Sequence, residues 1–352
     1  MSPFEAPLIL PIFLPQQGCP NRCIFCNQRA IAREIPPPQK VYQFIQSFLL
    51  SLPAKGRGRE IQVAFYGGSF TKMETETQIA YLNVTRPFLL QNQVRSIRIS
   101  TRPDGLNETA LSLLKEYGVK TIEVGAQSMI DEVLSLCQRN HTKEDTLSAI
   151  SKLRQWGFEV GVHLMIGLLG DTPEGFLHSL DQIISLRPDF VRLHPTLVLR
   201  GSPLEALWLQ GNYLPLSLEE TIHCLKKAVV RLERASIPVA RIGLQPSLEL
   251  KEHLLAGPYH PALHQLIDSA LFFDMAQTLL KDFPDETRVT FFCHPKDLSN
   301  LIGYRKENIS KLKRQFHLGE VWVKGREELK RGSLLLQTSN EEVKIDWTSL
   351  DL

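Results

Sequence analysis

The stretch GCPNRCIFCNQ, Gly18 to Gln28, gathers Cys19, Cys23 and Cys26 in one short loop of a chain that has only six cysteines in 352 residues. The spacing is C-x3-C-x2-C, with no fourth cysteine nearby. Structural zinc usually takes four ligands in two pairs. Three thiolates instead suit a cuboidal iron–sulfur cluster in which one iron lacks a protein ligand and can take a substrate or cofactor. Two other readings of the loop are inert core thiols and a zinc knuckle completed by a distant His. Pro20 and Asn21 favour a tight turn, and Gly18 frees the backbone just before it. Phe25 stands between the last two cysteines, where an aromatic ring can shield a cluster. Cys137, Cys224 and Cys293 lie in helical or strand-like apolar patterns and read as core.

Outward from this loop, strand and helix patterns alternate strictly. EIQVAFYGGSF (60–70), SIRISTRPD (96–104), KTIEVGAQS (120–128), EVGVHLMIGLLGD (159–171) and DFVRLHPTLVL (189–199) read as strands. Helical patterns such as NETALSLLKEYG and KEDTLSAISKLRQWG separate them. Short apolar strands alternating with helices predict a parallel sheet buried on both faces. The fold class is α/β: a partial, TIM-like barrel of six strand–helix units over residues 1–245. A helical linker (246–285) and a small α+β domain (286–352) follow. In such barrels chemistry sits at the C-terminal ends of the strands, where Gly67, Gly68, Ser69, Ser100, Arg102, Gln127, Ser128 and Met165 fall.

Composition limits the alternatives. Hydrophobic content is 43%, charged content 22% and net charge +2, an ordinary soluble profile without a global basic bias. The apolar N-terminal run is broken by prolines and has no basic leader or small-residue cleavage site, so no signal peptide is read. No apolar run approaches the ~20 residues of a membrane span. A cytoplasmic location follows, and with it reduced thiols that serve as ligands rather than disulfides.

C-x3-C-x2-C with an aromatic before the last Cys resembles the signature of radical S-adenosylmethionine (SAM) enzymes. The resemblance implies a 4Fe–4S cluster on Cys19, Cys23 and Cys26, with SAM bound at the unique iron and cleaved to a 5′-deoxyadenosyl radical. A reductant such as flavodoxin or ferredoxin is implied as partner. Gly67 and Gly68 resemble the Gly-Gly motif that binds the SAM amino group, with Ser69 where the family often has Glu. Ser100, Thr101 and Arg102 fall where the family contacts the ribose. Gln127 and Ser128 end the next strand as ligand contacts, Arg139 is a clamp for the SAM carboxylate, and Met165 and Phe25 border the adenine.

The phrases STRPD, EVGAQS, RNHT, HPTLVLRGSPL and GNYLP resemble the radical-SAM domain of the Elongator catalytic subunit over roughly residues 8–245. That relative adds a basic N-terminal segment and an acetyltransferase domain. Here only 18 residues precede Cys19, and the tail is too short for the second, so acetyl-CoA chemistry is not expected. The tail reads strand–helix–turn–helix–strand and resembles a KH core, whose GXXG loop clamps nucleic-acid backbone. Gly303, Tyr304, Arg305 and Lys306 occupy that loop, with Lys306 in place of the second glycine. From Lys296 to Arg331 ten Lys or Arg stand against five acids, a local basic excess of the kind nucleic-acid surfaces carry. The expected function is radical modification of RNA, tRNA or rRNA. A small-molecule oxidoreductase of the coproporphyrinogen-oxidase type and a non-catalytic iron–sulfur RNA-binding protein are the alternatives.

Overall fold

A computed structural model of the chain describes residues 7–19, 23–28, 34–52, 59–339 and 341–352. The turn residues Pro20 and Asn21 lie outside the described residues. Two compact units emerge, the first comprising residues 1–215 and 244–257 and the second 216–243 and 258–352.

The first unit is the strand–helix repeat. Its strands are β1 (Leu8–Phe13), β2 (Ile61–Tyr66), β3 (Ser96–Thr101), β4 (Val119–Gln127), β5 (Glu159–Ile166) and β6 (Phe190–Pro195). They pair in parallel and in chain order. Helices α1 (Pro38–Ser51), α2 (Thr75–Leu90), α3 (Glu108–Glu116), α4 (Asp131–Leu136), α5 (Lys143–Gln155) and α6 (Pro173–Ser185) connect them. β1 is the edge strand. Pro11 is tolerated there because an edge has no partner waiting for its missing N–H. Thr142 opens α5 with a capping box in which its side chain accepts from the Asp145 N–H while Asp145 returns the bond, satisfying two of the orphan donors at the helix start. The short strand β7 (Val198–Leu199) and helix α7 (Pro203–Leu209) follow.

The sheet is apolar on one face. Val63, Phe65, Ile97, Ile99, Ile122, Val124, Val162, Leu164, Val191 and Leu193 are at most 1% exposed. The other face departs from the expected apolar lining. Register places Ala64 beside Arg98, Ser100 beside Glu123 and His163 beside Arg192, and Tyr66 Oη donates to Glu123, so polar side chains from five strands share one surface. Parallel strands alternate side-chain faces with period two, and Arg98, Glu123, His163 and Arg192 fall on the same face of their strands.

The unit boundaries differ from a cut near residue 245. Helix α8 (Leu218–Arg234) and strand β8 (Val239–Ile242) group with the second unit. Helix α9 (Leu248–His253) and strand β9 (Leu254–Ala256) return to the first, where β9 pairs with β7. Helix α10 (Leu263–Leu280), read from sequence as a linker, packs on α8 in the second unit, and its Asp274 pairs with Lys226 at 2.5 Å. The rest of that unit is β10 (Arg288–Cys293), α11 (Leu298–Ile302), α12 (Glu307–Gln315), β11 (Glu320–Gly325), β12 (Ser333–Gln337) and β13 (Glu342–Asp346). Its sheet runs β11-β10-β12-β13, with β10 and β11 parallel and the other pairs antiparallel. Arg305 and Lys306 both adopt positive φ between α11 and α12. Among the described residues, no helix is long and apolar enough to cross a membrane.

Candidate active site

The cysteine loop is seated on the turn after β2 by backbone contact. Ser69 N–H donates to the Gln17 carbonyl at 2.8 Å. Gln28 Oε1 accepts from Gln16 N–H and Gly68 N–H at 2.5 and 2.8 Å. Both chains must be bare where they meet. A Cβ on Gly68 would lie 2.0 Å from the Gln17 oxygen, and one on Gly18 would lie 2.3 Å from the Ser69 oxygen. Both glycines also have positive φ, which side-chain-bearing residues adopt only with strain. The Gly67-Gly68-Ser69 turn is therefore the bed of the cysteine loop. Ser69 itself is buried, bonding Thr101 Oγ1 at 3.0 Å and accepting from Arg102 N–H, which ties the ends of β2 and β3 together.

Cys23 is buried, and Cys19 and Cys26 are half-buried. Burial, reinforced by the neighbouring Cys23 and Cys19, pushes the Cys26 thiol up to about 12, with Arg139 opposing. Three adjacent thiolates in such a loop need a cationic centre to hold them, because metal ligation is what keeps a buried thiol deprotonated. Among the described residues, no three His, Cys, Asp or Glu side chains are grouped to hold a metal ion. A cuboidal cluster gives each thiolate its own iron, so its sulfurs need not converge on one point.

Arg139, in the turn after α4, reaches this loop. Its Nη1 lies 3.5 Å from Cys23 Sγ, its Nη2 donates to the Gly125 carbonyl at 2.5 Å, and its Nε is buried without a hydrogen-bond partner. A guanidinium with an unused buried donor beside the cysteines fits an anionic ligand group such as a carboxylate. Phe25 and Met165 pack against one apolar cluster that includes Ile24, Val133, Cys137 and Leu168. Gln127 ends β4 with φ +69° beside a register shift, and Ser100 is half-buried at the end of β3.

Two of the expected ligand contacts are occupied elsewhere. Arg102 is 1% exposed; it pairs with Asp104 at 2.8 Å and donates to the Arg139 carbonyl at 2.7 Å. It braces the turn that carries Arg139. Ser128 lies 3.3 Å from Ser179 Oγ and accepts from Ile130 N–H, organising the start of α4. The loop residues Gly303 to Lys306 lie in the second unit.

The polar face of the sheet holds a group that the cysteine motif does not announce. Glu123 is fully buried and accepts four hydrogen bonds: from Tyr66 Oη at 2.9 Å, Arg98 at 2.9 Å, Arg192 at 2.8 Å and His163 Nε2 at 2.5 Å. Burial opposes its ionisation, but the His163 hydrogen bond and the two guanidinium groups outweigh it and hold the carboxyl well below the usual range. Burial drives His163 toward its neutral form despite Glu123, so Nε2 is the donating nitrogen. Burial and then the Glu123 charge push Tyr66 up to about 12. Arg98 lies 4.7 Å from the Phe190 ring centre and Arg192 5.0 Å from that of Tyr66. Two guanidinium groups against one carboxylate leave this face positive. The signal in the sequence was a charged or titratable residue set inside each apolar strand run: SIRIS, TIEVG, VGVHL and FVRLH.

Residues 13–183 match the model of the Radical SAM superfamily, and residues 188–272 match that of its C-terminal domain. The chain belongs to the radical SAM superfamily, whose members use a 4Fe–4S cluster and SAM. A curated relative, the tRNA uridine(34) acetyltransferase of Methanocaldococcus infernus, is 29% identical over 189 residues, covering 48% of this chain and 35% of that protein. The oxygen-independent coproporphyrinogen-III oxidase-like protein HemZ of Bacillus subtilis is 28% identical over 308 residues, covering 81% of this chain and 60% of that one. The chain thus spans less than two thirds of either relative. The solved structure of M. infernus Elp3 with an N-terminal deletion matches with a TM-score of 0.58 at 21% identity, over 79% of this chain and 64% of that chain. The shared fold is a curled parallel half-barrel with helices.

Proposed function

We propose that this chain is a radical SAM enzyme that modifies RNA, with tRNA or rRNA as substrate. The observation that carries the enzymatic reading is the cysteine loop seated on the ends of the parallel strands, with the unused Nε of Arg139 buried beside Cys23. Cys19, Cys23 and Cys26 hold the cluster. Arg139 receives the SAM carboxylate, Gly67 and Gly68 keep the backbone open for its amino group, and Ser100 and Gln127 border the ribose. Phe25 and Met165 provide the apolar wall that excludes water.

When bound, the cluster and SAM supply a 5′-deoxyadenosyl radical, strong enough to take a hydrogen atom that no side-chain base could remove. The chain's own contribution is positioning. Glu123 fixes Arg98, Arg192, His163 and Tyr66, and the resulting positive face orients an anionic substrate group. A flavodoxin or ferredoxin serves as electron donor. Support for an RNA substrate comes from the similarity to a tRNA uridine(34) acetyltransferase.

Anaerobic reconstitution with dithionite and SAM, followed by quantification of 5′-deoxyadenosine, tests the reading. Product that requires Cys23 (absent in Cys23→Ala) and rises with added RNA is the expected result. Cysteine-dependent product indifferent to RNA supports the second reading, a small-molecule oxidoreductase, which the match to HemZ over 81% of the chain favours. An intact cluster that yields no 5′-deoxyadenosine overturns both.

A further inference from the structure

The sheet of the second unit has two unlike faces. Val289, Phe291, Leu334 and Leu336 point to one side and are at most 1% exposed. Helices α10, α11 and α12 pack on this sheet. The alternate residues form the opposite face, and register orders them in rows. Trp322 pairs with Thr290, Thr290 with Gln337, and Gln337 with Glu342. In the next row Lys324 pairs with Phe292, Phe292 with Leu335, and Leu335 with Lys344.

Trp322 is 46% exposed on this face, with Lys324 two residues along the same strand. An indole left that open on the edge strand of a folded sheet keeps apolar area in water unless something flat covers it. The charges around it are unevenly matched. Glu320 pairs with Arg288 at 3.4 Å and Glu342 with Arg326 at 3.1 Å. Lys324 and Lys344 have no acidic partner among the described residues and are exposed. Arg326 stacks 3.7 Å over the Phe292 ring, so an aromatic–guanidinium stack already stands beside the open indole. Three strand spacings of ~4.8 Å separate the two lysines by roughly 14 Å across the sheet. An open aromatic with an unpaired cation beside it on the same strand and a second across the sheet is a combination that single-stranded nucleic acid uses: a stacking platform for a base and charges along the path of its phosphates.

We infer that this face, through Trp322 and Lys324 on one edge strand and Lys344 on the other, binds single-stranded RNA. The inference rests on the RNA-modifying reading and deepens it. It assigns the contact to the sheet face rather than to the Gly303–Lys306 loop.

The test is binding of a short labelled single-stranded RNA to the full chain, read by anisotropy over a range of salt. Trp322→Ala is expected to weaken binding about tenfold, the scale of one lost base–aromatic stack. Lys324→Glu combined with Lys344→Glu is expected to lower the slope of log affinity against log salt by about 1.4, the contribution of two phosphate contacts on a single strand. The lysine variant should leave the melting temperature unchanged, since both side chains are exposed, and Trp322→Ala should lower it only slightly, through the covered half of the indole. If both variants bind like wild type while Arg305→Glu with Lys306→Glu loses binding, the sheet-face proposal fails and the RNA reading stands. If the wild-type chain binds no RNA, the face belongs to another class of partner and this proposal falls. The 5′-deoxyadenosine assay then decides separately whether the enzymatic reading survives.

Discussion

Gly68 and Gln17 meet backbone to backbone, so closely that a Cβ on Gly68 would lie 2.0 Å from the Gln17 carbonyl oxygen. This contact joins the end of β2 to the turn that delivers Cys19, and it links the Gly-Gly sequence to the cysteine motif through packing. The cluster loop and its bed form one structural unit.

Gly68→Ala is therefore expected to damage cluster binding without touching a cysteine. The new methyl meets rigid backbone, and φ +51° adds strain, together a destabilisation on the order of 2–4 kcal/mol concentrated at the loop. Iron and sulfide per chain after reconstitution should fall well below wild type, with a lowered melting temperature. Full iron incorporation at an unchanged melting temperature would show that the loop can dock elsewhere.

Arg139→Lys tests the carboxylate clamp. Lysine keeps the charge but loses the planar fork, so one ammonium nitrogen would have to reach the Gly125 carbonyl, Cys23 and a ligand that Arg139 meets with three separate nitrogens. SAM affinity of the reconstituted protein, measured by calorimetry, is expected to fall by about tenfold, the loss of one charge-assisted hydrogen bond. Unchanged SAM affinity with an intact cluster would assign Arg139 to bracing the loop alone.

The alternation of strands and helices and the cysteine loop were legible because each rests on local pattern: short apolar runs between helical ones, and tight cysteine spacing. Three features were not. Arg102 and Ser128 stand where ligand contacts were expected, and their distant partners Arg139, Asn140 and Ser179 come beside them only in the folded chain. The Glu123 group draws on five strands, and register alone brings those residues together. Helix α10 read as a linker because its packing partners, among them Lys226 on α8, are distant in sequence.

Glu123 predicts how acid acts on the first unit. Its folded-state pKa lies below its unfolded value, so it stabilises the fold fully above an unfolded carboxylate pKa of about 4.3. That contribution is lost progressively as pH falls further. His163 is also depressed in the folded state. The unfolded chain therefore takes up its proton first, and stability begins to decline below about pH 6.5. Glu123→Gln should lose about 3–5 kcal/mol at neutral pH, because Arg98 and Arg192 are left without their counter-charge. It should also show a shallower decline below pH 4.3 than wild type. Urea denaturation across pH measures both, and parallel curves for the two proteins would remove Glu123 from the account.

Gly161 and Phe190 give a prediction about how the polar face is packed. A Cβ on Gly161 would lie 2.3 Å from the Phe190 ring, and that ring lies 4.7 Å from the Arg98 guanidinium. The missing side chain at 161 is what lets Phe190 lie across β5 and reach Arg98. Gly161→Ala is expected to cost about 1–3 kcal/mol by overpacking. Phe190→Leu alone should also destabilise, through lost ring area and the lost cation–π contact. The double variant should be more stable than the sum of the two losses, since a smaller side chain at 190 relieves the clash. A double-mutant cycle by chemical denaturation measures this coupling. Simple additivity would mean that the ring has another way to turn, and that Gly161 does not set the position of Phe190 against Arg98.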